Sequence, residues 1–168
     1  MASSAKSETI TNKDLTWINI ENPTRESMGE VARQGYHFHE LNIEDSLSKI
    51  QIPKIDRQMD YIFVLLHFPT TTKSGQHSHQ HARPHLHRSS IPAIISRARR
   101  RKHSDSFLTS IHLDQLSIFA GKNFLITIHQ GGLQPLNDLF QQCKYGNDLQ
   151  RDELMGKTSG YLLHTIID

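Results

Sequence analysis

Apolar residues recur along this chain at two spacings, and the alternation between them sketches its elements. Trp17, Ile18 and Ile20 read as a short first strand, broken by Asn22-Pro23-Thr24. Thr24 has the chemistry of a helix N-cap, and Glu26 falls in the first turn that follows it. Met28, Val31, Ala32 and Gly35 then stand at i, i+3, i+4 and i+7, one face of a helix closing near a glycine. A second short helix over about 39–48 turns Ile43 and Leu47 inward and leaves Glu44 and Asp45 toward its other side. Pro53-Lys54-Ile55-Asp56 stops that helix and opens an extended segment over 52–58, and a tight turn at Met59-Asp60 leads into residues 61–68. Residues 61–68 are nearly all apolar and end at Pro69; their β-branched and aromatic content fits a central strand covered on both faces. They are too few to cross a bilayer, which takes roughly 20 residues of helix.

Beyond Pro69 the pattern stops. Residues 70–110 are mostly polar, with their longest apolar break at 91–95, so they cannot bury enough apolar surface to offset their ordering entropy. They are expected to form a disordered, His- and Arg-rich insertion. Periodicity resumes at Leu113. Residues 114–120 and 124–129 read as a β-hairpin about Gly121-Lys122-Asn123, with the glycine and asparagine supplying the turn. Gln134-Pro135 opens a helix whose buried face is Leu136, Leu139, Phe140 and Cys143. After a polar stretch, Tyr161, Leu162, Thr165 and Ile166 begin another helix, still unfinished at Asp168. Residues 1–13 are small and polar, and are expected to be a flexible leader. The order of strands and helices over 14–168 predicts an α/β domain, a mixed β-sheet flanked by helices in α/β/α layers.

Charge sharpens this division. The 168 residues carry a net charge of +2, yet residues 61–104 hold eight Lys or Arg and no Asp or Glu. The remainder therefore has eleven basic against seventeen acidic residues, a net of about −6. Cys143 is the only cysteine, which excludes an internal disulfide and suits a reducing compartment. Residues 1–10 lack the apolar centre of a secretory signal, and no spanning helix is expected, so the chain reads as soluble by itself. No nucleophile elbow, Ser-His-Asp order or phosphate-cradling glycine loop is present, so no enzyme is expected. His67 and His129 fall on strands as satisfied core or edge residues, and Cys143 serves packing.

The stretch 43–68 also carries a family resemblance. Glu44-Asp45, then Pro53-Lys54, then Asp60-Tyr61-Ile62-Phe63-Val64-Leu65 resembles the cytoplasmic domain of the CorA family of magnesium and cobalt channels. Thr16-Trp17-Ile18-Asn19-Ile20 before it agrees, as do residues 114–127 and 161–168 after it. No single piece is specific; five pieces in order span most of the chain from Thr16 to Asp168 outside the insertion. The resemblance implies a CorA soluble-domain-like fold and a truncated chain. The whole protein would continue into a stalk helix, two membrane helices and a Gly-Met-Asn pore signature. It would assemble as a homopentamer in the cell's inner membrane, with this part on the cytoplasmic side. It also implies that acids matching Glu44, Asp45 and Asp168 line regulatory Mg2+ or Co2+ sites between neighbouring subunits, with a further acid in the stalk. Ile50 stands where some members have a histidine, and Ile52 replaces an arginine common before the Pro-Lys pair. On residue chemistry alone, adjacent acids on a helix read as a solvated face, although one or two exposed carboxylates suffice for a cation that keeps most of its waters. The implied role is cation sensing: ions between acidic faces hold subunits together, and their loss leaves carboxylates repelling one another. A zinc-transporting relative is an alternative.

Two constellations lie in the insertion. His77, His79, His81, His85 and His87 can chelate Zn2+ or Ni2+ loosely, although no carboxylate or thiol nearby completes a closed tetrahedral site. The plainer reading is a polar loop without a specific metal. Arg97, Arg99, Arg100, Arg101 and Lys102 can meet the phosphates of anionic lipid head groups, and a solvated charge run is the plain alternative. Nucleic acid is a poor fit, since no aromatic residues are interleaved for base stacking. The rival to a transporter domain is a binding module that uses the basic loop 83–102 for anionic lipid or nucleic acid. Replacing the five histidines between His77 and His87 by Ala is expected to abolish retention on a nickel column and to leave magnesium responses unchanged. Retention that survives the replacement would move the soft-metal site elsewhere.

Overall fold

The computed structural model describes residues 5–49, 51–73 and 109–168, in which six strands join one sheet. The chain divides into two units, Met1–Thr70 with His112–Asp168, and Thr71–Ile111. In the second unit the described residues, 71–73 and 109–111, are strand. In chain order the elements are β1 (Lys6–Asn12), β2 (Leu15–Glu21), α1 (Arg25–Arg33), α2 (Glu40–Leu47), β3 (Lys54–Arg57), β4 (Tyr61–Lys73), β5 (Thr109–Gly121), β6 (Phe124–His129), α3 (Gln134–Tyr145), α4 (Asp148–Met155) and α5 (Ser159–Ile167). The sheet order is β1-β2-β6-β5-β4-β3. β2 and β6 run parallel, while β1–β2, β5–β6 and β3–β4 are antiparallel. This is the expected mixed sheet.

Alternation along the inner strands sends side chains to two separate cores. Trp17, Leu125, Ile118 and Val64 face one core with Leu136 and Phe140 of α3, Met155 of α4 and Leu162 of α5. Ile18, Ile126, Phe119 and Phe63 face the other with Met28 and Val31 of α1 and, at its margin, Ile43 and Leu47 of α2. Helices thus cover both faces. The strands buried most evenly are β2 and β6, with Trp17, Ile18, Ile20, Leu125 and Ile126 excluded from solvent. Residues 61–68 are covered on both faces only at Phe63, Val64 and Leu65, and β4 lies one strand in from the edge rather than at the centre. Ile62 is 37% exposed and lies opposite Arg57 of the edge strand β3.

A polar chain ties the two parallel strands together. The Trp17 indole N–H donates to Thr127 Oγ1 at 3.1 Å, and that hydroxyl donates to Asn19 Oδ1 at 2.7 Å. Asn19 Nδ2 in turn donates to Asn137 Oδ1 of α3 at 3.3 Å. The Trp17 ring meets Phe140 edge-on, with centroids 4.9 Å apart.

Caps appear where the sequence places them. Thr24 Oγ1 accepts from the Ser27 N–H at 3.2 Å and the Thr24 N–H donates to Ser27 Oγ at 3.0 Å, a reciprocal pair at the start of α1. Pro135 sits in the first turn of α3, and Leu136, Phe140 and Cys143 are buried with Leu139 at the margin.

Four expectations change. Residues 6–12 of the expected leader form β1, which pairs with β2 through a turn at Lys13 (φ 52°). Ile10 is its only buried apolar residue, so pairing rather than burial makes the strand. The polar stretch before α5 contains α4, capped reciprocally by Asn147 and Gln150. β4 and β5 extend to Lys73 and from Thr109, into both ends of the expected insertion. At the β5–β6 turn, Gly121 is needed for space rather than for a left-handed backbone. A Cβ there would lie 2.1 Å from the Phe124 ring. That ring is wedged against Tyr36 at 4.9 Å between centroids and cannot swing clear at no cost. Gly121→Ala is expected to destabilise the domain by about 1–3 kcal/mol, the usual range for overpacking. At roughly 2–4 °C per kcal/mol, calorimetry should show a clear fall in Tm. An unchanged Tm would mean that Phe124 repacks freely.

Candidate cation site

α2 carries Glu44 and Asp45, and directional polar bonds hold it at both ends. At its start the Tyr61 hydroxyl accepts the His39 N–H at 2.8 Å and the Asn42 amide at 3.3 Å, while His39 Nδ1 accepts the Leu41 N–H. At its end the buried Gln115 side chain of β5 donates to the carbonyls of Asp45 and Ser48, both at 3.0 Å, and accepts the Gln51 N–H at 2.9 Å. The most buried residues of α2 are therefore Asn42 and Ser46, with Ile43 and Leu47 only partly buried. Ser46 is satisfied by the Ile43 carbonyl at 2.7 Å.

The two acids face outward, and each already has a cationic partner. Glu44 lies 3.7 Å from Arg25, which also meets Glu40 at 3.1 Å. Both are surface pairs of small energetic weight. Asp45 is more sheltered. Lys54 Nζ sits 2.7 Å from Asp45 Oδ2 and 2.8 Å from Asp56 Oδ2, and lies 5.5 Å from the centroid of the Phe63 ring. Hydrogen bonds to Asp45 and then to Asp56 raise the Lys54 pKa above its ordinary value. Lys54 and Asp56, two apart on β3, share the face of Leu65 and Phe63 opposite them. This arrangement is a cation held between two carboxylates, and the cation belongs to the protein. Neither Lys54 nor Asp56 is among the site residues expected from the sequence. Their signal was there: alternate positions on a strand share a face, and that face adjoins the helix carrying Asp45.

Asp168 closes α5, which packs on the opposite core from α2. Within one chain, therefore, Glu44 and Asp45 belong to one face of the sheet and Asp168 to the other. Among the described residues no three His, Cys, Asp or Glu side chains are grouped so as to hold a metal ion. Ile52 is exposed, and Ile50 lies outside the described residues. So do His77, His79, His81, His85 and His87, and Arg97, Arg99, Arg100, Arg101 and Lys102. Cys143 is fully buried, and burial pushes its thiol pKa up to about 11, as suits a packing residue. Among the described residues no helix is long and apolar enough to cross a membrane.

Residues 12–91, which include α2, β3 and Tyr61, match the family model of the CorA-like Mg2+ transporter protein. No curated protein matches the sequence. The fold is similar to the soluble domain of CorA from Methanocaldococcus jannaschii, with a TM-score of 0.50 and 14% identity over 80% of this chain and 39% of that one. The full-length CmaX protein gives a TM-score of 0.42 and 15% identity over 76% of this chain and 29% of that one. The chain thus spans about two-fifths of the M. jannaschii chain and under a third of CmaX. The family match over residues 12–91 and the α/β fold, a mixed six-stranded sheet with five described helices, agree with the resemblance read from the sequence: that stretch is similar to the CorA-like family, and the fold to the CorA soluble domain.

His129 is the titratable group whose burial has a consequence for pH. It is 2% exposed, its Nδ1 accepts the Gly131 N–H at 3.2 Å, and its buried Nε2 has no partner among the described residues. Burial lowers its pKa below 6.5, and the charges of Glu21 and Asp114 only partly oppose this. Below about pH 6.5 the unfolded chain takes up a proton that the folded one refuses, so stability falls as the pH falls. The Tm of the wild type is expected to drop between pH 7.5 and 5.5, and the drop should be smaller in His129→Gln. Equal drops in the two proteins would assign the response to other histidines.

Proposed function

We propose that this chain is the cation-sensing regulatory domain of a CorA-like divalent-cation transporter, working on the cytoplasmic side of a membrane. The match of residues 12–91 to the CorA family supports this reading, because that stretch contains α2 with both of its acids and the lysine between Asp45 and Asp56. Carboxylate oxygens are hard donors that suit Mg2+ or Co2+, and an ion that keeps most of its waters needs only one or two of them. Asp45 is the principal ligand in this reading, with Glu44 beside it. A cation reaching Asp45 competes with the Lys54 ammonium, which retreats to Asp56. Asp168 completes such a site only from a second copy of the chain, since α2 and α5 cover opposite faces. This supports a site between subunits, a pentamer in the resemblance, that falls apart when the ion leaves.

Titration with MgCl2, followed by amide NMR shifts and by sedimentation velocity, tests the reading. Millimolar Mg2+ is expected to shift the signals of residues 44–49 and 54–56, as suits an exposed site of few ligands. Lys54→Met should tighten binding by up to about fivefold, the factor worth one exposed ion pair. Asp45→Asn should abolish the shifts. If wild type and Asp45→Asn respond identically, Asp45 is a solvated helix acid and the sensing role fails.

A further inference from the structure

Three turns meet at the end of the sheet where β2 and β6 begin, and each carries a lysine. Lys13 lies between β1 and β2, Lys122 between β5 and β6, and Lys157 between α4 and α5. All three line one cavity of about 260 Å3, in which Asp14 is the one carboxylate among the described lining residues. We propose that this cavity binds a phosphate-class anion, independently of any cation site on α2.

Bonds between elements hold the turns in place. Asn12 Nδ2 and Lys13 Nζ reach the two oxygens of Asp152 on α4, at 2.8 and 2.7 Å. The Thr16 N–H donates to the Asn123 carbonyl at 3.0 Å, and the Ser159 hydroxyl donates to the Gly121 carbonyl. The cavity is therefore formed before a ligand arrives, which lowers the ordering cost of binding.

The charges in it are unevenly committed. Asp152 neutralises Lys13. The Lys157 ammonium lies 3.7 Å over the Tyr161 ring, a contact that leaves its full charge in place. Lys122 has no acidic partner among the described residues, although the chain outside 61–104 carries a net charge of about −6. Among the described residues, Lys122 and Lys157 are thus the cations of the cavity without an acidic partner, and Asp14 is the one carboxylate that lines it. Lysine meets phosphate as a point charge, and the Asn123 amide at the wall adds a neutral donor. The volume lies under the roughly 300–1,000 Å3 of sites for drug-sized ligands, so it suits one or two phosphate groups rather than a whole nucleotide. Those groups come either as a free anion or on a lipid phosphomonoester.

The test uses the full chain at low ionic strength with sodium pyrophosphate as one probe. The other probe is phosphatidylcholine vesicles with and without phosphatidic acid. Saturable pyrophosphate binding is expected, with amide shifts at Lys122, Asn123 and Lys157, weakened roughly tenfold in Lys122→Ala/Lys157→Ala. Lys122→Glu alone serves as a second variant, and Tm measurements confirm that both are folded. Binding to phosphatidic acid vesicles without pyrophosphate binding, lost in the same variants, would place the phosphate on a lipid and still support the proposal. Binding that does not saturate, or that both variants retain in full, overturns it; full retention assigns the anion to the basic run at 97–102.

Discussion

The parallel pairing of β2 with β6 is the constraint from which the rest of the architecture follows. Trp17 and Thr127, joined by a hydrogen bond across this pair, are 110 residues apart. Parallel neighbours cannot be linked by a tight turn, so the chain must leave the sheet and return, and the elements between them fill its other edge. Both strands are buried on both faces, which requires a helical layer on each side. A one-residue slip would exchange the Trp17 and Ile18 cores, placing an indole N–H where Thr127 could not receive it. The Trp17–Thr127–Asn19–Asn137 chain therefore does two things. It satisfies buried polar groups, and it penalises every register but the observed one.

A different physics positions α2. Its innermost residues are Asn42 and Ser46, and its apolar pair, Ile43 and Leu47, is only partly buried at the margin of the core, so burial holds it less firmly than it holds the other helices. Tyr61 at one end and Gln115 at the other hold it through bonds that depend on angle as well as distance. A helix held this way presents its outer face at a defined place on the sheet, and that face carries Glu44 and Asp45. The clamp at Gln115 grips the backbone carbonyl of Asp45 itself, which couples the acid's position to β5.

What was legible in the sequence was local. The Thr24 cap, the Met28–Val31 spacing and the proline at the start of α3 each act over a few residues, and each appears where expected. Elements without an apolar face were not legible. β1 buries Ile10 alone among its apolar residues, and α4 buries Met155 while Leu149 stands 81% exposed, so neither shows the periodicity of a core element. For α4 the Asn147–Gln150 box was the available signal. In the candidate site the acids of α2 were legible, but their partners were not all so. Gln115 reaches residues 64 to 70 positions away, and no spacing rule reports such a contact. Lys54 and Asp56 could have been placed on one face by strand period, yet only the fold shows that Asp45 meets them there.

Lys54 also gives the proposed sensing role a physical form. An ammonium and a divalent cation compete for the same Asp45 oxygen, but they differ in what they can do next. Lys54 is tethered to β3, and its charge is already divided between Asp45 and Asp56, so it cannot reach a carboxylate on another chain. A hydrated divalent ion keeps coordination positions open after it has bound one carboxylate. Exchange of one for the other therefore changes Asp45 from a group satisfied within its own subunit into one that can share a ligand with a neighbour. The resting pair sets the threshold for that exchange. Being only partly sheltered, with Lys54 35% exposed, it is weak enough for millimolar ions to contest. Under this reading Lys54 offsets one of the two charges of Asp45 and Asp56 when the ion is scarce, and the like-charge repulsion that would separate subunits falls on the charge that remains and on Asp168, which has no ion pair among the described residues.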